Sequence, residues 1–193
     1  MLVLKERIIN LPIMSLQTSA EIARTEQPII DPRQLKVVAF YCQGPQLDAH
    51  PAVLHVDDIR EISNLGYIVD SAEVIMSPDG LVRLQQVIGF NFILEGKQVV
   101  EESGRKVGKV SNYTVNTRSF YITQLHVQPS LWQAWATAEI LIGRTQIIEI
   151  NDTKIIVKSA TIRKEAPVQA KSRIVENPFR PQPQAEATRT ARE

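Results

Sequence analysis

Apolar positions in this chain come in short bursts, not in long helical stripes. Residues 35–42, LKVVAFYC, are β-branched and aromatic and too few for a free helix. Residues 52–56, AVLHV, and 66–69, GYIV, read the same way. Residues 119–127, SFYITQLHV, alternate through Phe120, Ile122, Leu125 and Val127 with one slip. Turn signals separate the bursts at Asp31-Pro32, Gly44-Pro45, Asn64-Leu65-Gly66, Ser103-Gly104 and Asn151-Asp152. Strands this short, broken by turns about every eight to twelve residues, predict a small barrel or sandwich. One helix interrupts them. Ser77-Pro78-Asp79 offers an N-cap, a first-turn proline and an early acid, and Leu81, Leu84, Gln85 and Ile88 follow at helical spacing. The pattern predicts a helix over 78–88. A second short helical piece is predicted over 129–138, PSLWQAWATA, with Trp132 and Trp135 on one face.

The bursts also repeat. Residues 59–69, IREISNLGYIV, align without a gap on 147–157, IIEINDTKIIV, at a displacement of 88. Ile59 meets Ile147, Glu61 meets Glu149, Ile62 meets Ile150, and Tyr67-Ile68-Val69 meets Ile155-Ile156-Val157. Ser71-Ala72 meets Ser159-Ala160 beyond them. Upstream, the Asp31-Pro32 turn falls on Asn116-Thr117-Arg118 only at a displacement of 85, so one loop differs in length between the copies. The reading is an internal duplication.

SLQTSAEIA at 15–23, IIDPRQLKVVAF at 30–40 (read onward from Ile29) and LHVDDIREISNLGYIVDSAEVI at 54–75 resemble the PRC-barrel domain family. The second half is similar through KQVVEESGRKVGKVSNYTV at 97–115 and EILIGRTQIIEINDTKIIVKSA at 139–160. Two departures stand out: Thr18-Ser19-Ala20-Glu21 lacks the expected glycines, and Asn116-Thr117-Arg118 replaces an Asp-Pro turn. The resemblance implies a mainly β fold of two tandem small PRC-type barrels joined by a short helix. The modules are placed at 10–77 and 89–162, the linker helix at 78–88 and a flexible tail at 163–193. In such barrels Val37, Ala39, Ile59, Ile62 and Ile68 are interior candidates in the first module. Leu125, Val127, Ile147, Ile150 and Ile156 are their partners in the second.

Composition narrows the function classes. The 193 residues carry 22 Lys+Arg against 21 Asp+Glu, and a net charge of +1 gives no global pull toward nucleic acid or an anionic membrane. Cys42 is the one cysteine, so no internal disulfide forms, which fits a reducing compartment. The N-terminal apolar run is broken by Lys5-Glu6-Arg7, and no run approaches the roughly 18–20 apolar residues a spanning helix needs. A soluble cytoplasmic protein is expected. From Glu165 onward, four of the eleven prolines and scattered apolar residues leave too little surface to bury, so the tail is expected to be disordered.

Candidate chemistry is sparse. His55 and Asp57 share a strand face but lack a third ligand, and Cys42 has no partner cysteine. Gly104 to Lys109 has the wrong length for a phosphate loop, and Asp57-Asp58 and Glu101-Glu102 are adjacent pairs that point apart on a strand. No enzyme activity, cofactor or metal is therefore expected. Basic side chains gather at Arg105, Lys106 and Lys109, with Arg118 and Arg144 elsewhere in the same module, but no basic run is interleaved with aromatics. Together with Trp132 and Trp135, Arg105, Lys106 and Lys109 form the candidate interaction surface. The resemblance implies a non-enzymatic adaptor or assembly module with a protein partner. The alternative is a RimM-type ribosome maturation factor acting in 16S rRNA processing, with a ribosomal protein or rRNA as partner. That reading is weakened because its N-terminal half would be a different barrel. A third comparison, the reaction-centre H subunit, has a membrane anchor that finds no counterpart here.

Overall fold

The computed structural model describes residues 1–45, 47–63, 65–129 and 139–159. Of the helical piece expected over 129–138, Pro129 instead ends a strand, while the rest, with Trp132 and Trp135, and the tail lie outside the described residues. A short first strand, β1 (Leu2–Leu4), precedes the first half. That half contributes β2 (Pro12–Ser15), β3 (Ala20–Asp31), β4 (Lys36–Gln43), β5 (Ala52–His55), β6 (Glu61–Ser63), β7 (Gly66–Val69) and β8 (Ile75–Met76). Helix α1 (Val82–Gly89) follows. The second half adds β9 (Gln98–Glu101), β10 (Lys106–Asn116), β11 (Ile122–Pro129), β12 (Ile140–Gly143), β13 (Ile147–Ile150) and β14 (Lys154–Val157).

Two mixed sheets result. One runs β6-β7-β2-β3-β4-β5-β8; the other runs β13-β14-β9-β10-β11-β12, with β1 also paired to β10. The second repeats six strands of the first in order, all but β8, including the parallel pair (β2 with β7, β9 with β14). The register repeats too. Glu61 pairs with Ile68 and Glu149 with Ile156, at the displacement of 88. Asp31 pairs with Lys36, and the amide of Asn116 bonds the carbonyl of Tyr121, at 85. Ala39 pairs with His55 and Gln124 with Gly143, which places the three extra residues between β11 and β12. Three pairs of left-handed residues also coincide: Asn10 with Gly96, Ser19 with Gly104, and Leu35 with Phe120.

Neither sheet closes into a hydrogen-bonded barrel among the described residues. In each half a 3-10 turn, Val56–Asp58 or Arg144–Gln146, carries the chain from one end of the sheet to the other. The halves instead share one core. Ile13, Val37, Phe40, Leu54, Tyr67 and Val69 pack in the same cluster as Val99, Val115, Ile122, Leu125, Ile142, Ile155 and Val157. Each fully buried aliphatic of this kind contributes roughly 1.5–3 kcal/mol.

Three expectations are corrected. Ile68 and Ile156 are only half-buried, while their neighbours Tyr67, Val69, Ile155 and Val157 fill the core. A run of consecutive apolar residues hides its own alternation, so the phase slipped by one. Ala39 faces a second, smaller cluster formed by Ile29, Val53 and the α1 residues Leu84 and Val87. The helix itself begins at Val82, because Ser77 caps a separate 3-10 turn at Pro78–Gly80. It lies against the outer face of the first sheet. The N-terminal residues have a role the pattern did not announce: Leu2 pairs with Asn116, and the carbonyl of buried Ile8 accepts the Tyr67 hydroxyl at 2.9 Å.

Two predictions follow from this packing. Gly108 sits where an added Cβ would lie 2.0 Å from the Gln128 carbonyl oxygen. Gly108→Ala should therefore lower stability on the order of 3 kcal/mol in urea unfolding, a size reserved for a forced backbone shift. Cys42 is buried, and burial pushes its thiol up to about 12. In the native protein a disulfide reagent at neutral pH should leave Cys42 unlabelled, with labelling appearing only in denaturant.

Candidate interaction site

The sequence-predicted basic turn is less charged than it looks. Gly104 takes a left-handed conformation between β9 and β10, and this brings Arg105 back onto Glu101. Glu101 is buried, and Ser103 also donates to it. Arg105 is thus neutralised by a carboxylate, leaving Lys106 and Lys109 as solvent-exposed cations of that turn. Glu102, next to Glu101, is exposed, so the two carboxylates do point apart. Trp132 and Trp135, the other half of the expected surface, lie outside the described residues.

The structure assembles a different cluster where the halves meet. The β3–β4 turn is tied by Asp31, whose carboxylate accepts the Arg33 amide at 2.9 Å. The β10–β11 turn is tied in the same way by Asn116, which accepts the Arg118 amide at 2.9 Å. Each turn ends in a left-handed apolar residue, Leu35 or Phe120, whose carbonyl swings toward the other turn. Val37 then donates to the Phe120 carbonyl at 2.9 Å, and Ile122 donates to the Leu35 carbonyl at 3.0 Å. Lys36 and Tyr121 face each other across this bridge.

Arg144, in the 3-10 turn after β12, reaches the same place. Its guanidinium donates to the Gln34 carbonyl at 2.6 Å and the Leu35 carbonyl at 3.0 Å. It also lies 4.8 Å from the centre of the Tyr121 ring, and the Lys36 ammonium lies 5.8 Å from it. Tyr121 is 37% exposed. Two cations from opposite halves thus meet on one tyrosine. Sequence inspection found Arg118 and Arg144 but missed Lys36 and Tyr121, because these lie 85 positions apart and only the docking of the turns brings them together.

Among the described residues no carboxylate pairs with Lys36, Arg118 or Arg144. Several other arginines are matched: Arg24 with Glu21 at 2.8 Å, Arg33 with Asp31 at 3.3 Å, and Arg60 with Asp70 at 2.7 Å. Among the described residues the junction face therefore carries positive charge with no carboxylate against it.

A polar chain lies further along β10 and β11. His126 contacts Thr114 Oγ1 through Nε2 at 3.0 Å and Glu139 through Nδ1 at 2.8 Å. Ser111, at a bulge in β10, donates to Glu139 at 2.8 Å. Burial raises the Glu139 carboxyl, but the hydrogen bonds from His126 and Ser111 outweigh it and hold it below the usual carboxylate range. Thr114 is buried, so this chain fastens β10, β11 and the start of β12 rather than presenting a hydroxyl to solvent. His55, by contrast, accepts the Asp57 amide as a turn cap. A cleft of about 380 Å³ between α1, β3 and the N-terminal segment has mainly apolar walls, and its charged lining residues Lys5 and Glu95 pair with each other.

Among the described residues no helix is long and apolar enough to cross a membrane. No curated protein matches the chain. Residues 93–163, which take in β9 to β14, match the family model of the PRC-barrel domain.

Proposed function

We propose that this protein is a non-enzymatic adaptor or assembly module that binds another macromolecule through PRC-barrel surfaces. In this reading residues 10–77 are a second PRC-type module beside the matched one, and the protein works in the cytoplasm. The observation that carries it is the repetition, in order, of six strands of the PRC-barrel half by the first half, fused through one core. A fold of this kind fixes loops and turns on a rigid support, which suits recognition. The family points the same way, toward protein interaction and assembly in general.

Affinity purification from the native host, with the full chain and with a chain ending at residue 162, tests the reading. Recovery of one defined non-ribosomal protein, unchanged by RNase, is expected. RNase-sensitive recovery of ribosomal proteins would replace the adaptor reading with ribosome maturation.

A further inference from the structure

We propose that the junction face built from Lys36, Tyr121, Arg144 and Arg118 is a docking surface for an acidic segment of a partner protein. This rests on the adaptor reading and names the chemistry of its partner.

Each cation of this face lacks a carboxylate among the described residues. Arg24, Arg33, Arg60 and Arg105 each meet a carboxylate; Arg7, Arg83, Lys106 and Lys109 do not among the described residues, but only at the junction do cations from both halves meet on one ring. The cations are also held in position. Arg144 is fixed by two backbone carbonyls of the opposite half, and Lys36 by the strand bridge to Tyr121. Arg118 projects from a turn locked by Asn116, whose side chain accepts both the Arg118 and Ser119 amides. The Arg144 side chain is thus ordered before binding, and the backbone that carries Lys36 and Arg118 is fixed. Arg144 spends donors on carbonyls and keeps its full charge, so the patch attracts carboxylates without being neutralised internally.

An acidic protein segment fits better than nucleic acid. Single-stranded nucleic acid uses free aromatic faces for base stacking. The Tyr121 ring is already engaged by Lys36 and Arg144. Lys36 and Arg144 meet on one ring, and Arg118 lies three residues before it in the same turn, a short charged patch and not a track along a phosphate backbone. A few carboxylates on an extended segment match that size, and steering by complementary charge gives such a contact its specificity.

The test uses the full chain and rhodamine-labelled hexaglutamate, read by fluorescence anisotropy at low salt. A labelled hexauridylate of similar charge is the comparison. Wild type should bind hexaglutamate in preference to hexauridylate, and binding should weaken as salt rises. The double variant Lys36→Gln/Arg118→Gln, which leaves the Arg144 contacts in place, should lose roughly tenfold in affinity. The variant Arg83→Gln/Lys154→Gln, at exposed cations away from the junction, should bind as wild type does. Circular dichroism melts control for folding. Three results would overturn the proposal: wild type that ignores hexaglutamate, a junction variant that binds it unchanged, or tighter binding of hexauridylate that the junction variant loses. The two readings fail separately. If a protein partner is captured equally by the junction variant, the adaptor reading survives and the acidic-segment proposal falls. If hexaglutamate binding behaves as stated but no partner is captured, the reverse holds.

Discussion

Two backbone hydrogen bonds organise this molecule: Val37 to Phe120 and Ile122 to Leu35. They are reciprocal, as at a two-fold axis, because each turn offers one donor and one acceptor to its copy. To aim those carbonyls, Leu35 and Phe120 must adopt a left-handed backbone, which costs an L-residue roughly 1–2 kcal/mol. The cost is met where both side chains are also buried in the shared core. Phe120 packs edge-on against Phe40 of the other half, with ring centres 6.1 Å apart. The same constraint gathers Lys36, Tyr121 and Arg144. The interface that joins the halves therefore also creates the charged face.

Much of the fold was legible in the sequence. The displacement of 88 between Ile59–Val69 and Ile147–Val157 reappears in the pairing of Glu61 with Ile68 and Glu149 with Ile156. The second displacement, 85, reappears in the turns at Asp31 and Asn116, and the length difference lies between β11 and β12. Such features survive because turn chemistry and apolar pattern are local. Facing was less legible: in GYIV and KIIV every apolar position looks equally suited to the core, so Ile68 and Ile156 could not be told from Tyr67 and Ile155. The crossing of β1 onto β10 left no mark in a pattern of three residues.

The candidate site was legible only as separate pieces. Arg118 and Arg144 were visible as basic residues, but charge alone does not say which cation will find a carboxylate. Arg105 found Glu101 through a left-handed glycine, and Lys36 found Tyr121 across a junction of the two copies. Both outcomes depend on tertiary placement. The duplicated elements supply the frame, and the positions where the copies differ, Lys36 against Tyr121 and Val56 against Arg144, supply the surface chemistry.

The central claim is that the two halves are one cooperative unit held at the Leu35–Phe120 junction. Residue-resolved hydrogen exchange across a urea series tests it most directly. The amides of Val37 and Ile122, and those in the centres of β4 and β11, should lose protection at one common urea midpoint. Separate midpoints for the first and second halves, with the Val37 and Ile122 amides exchanging early, would contradict the account.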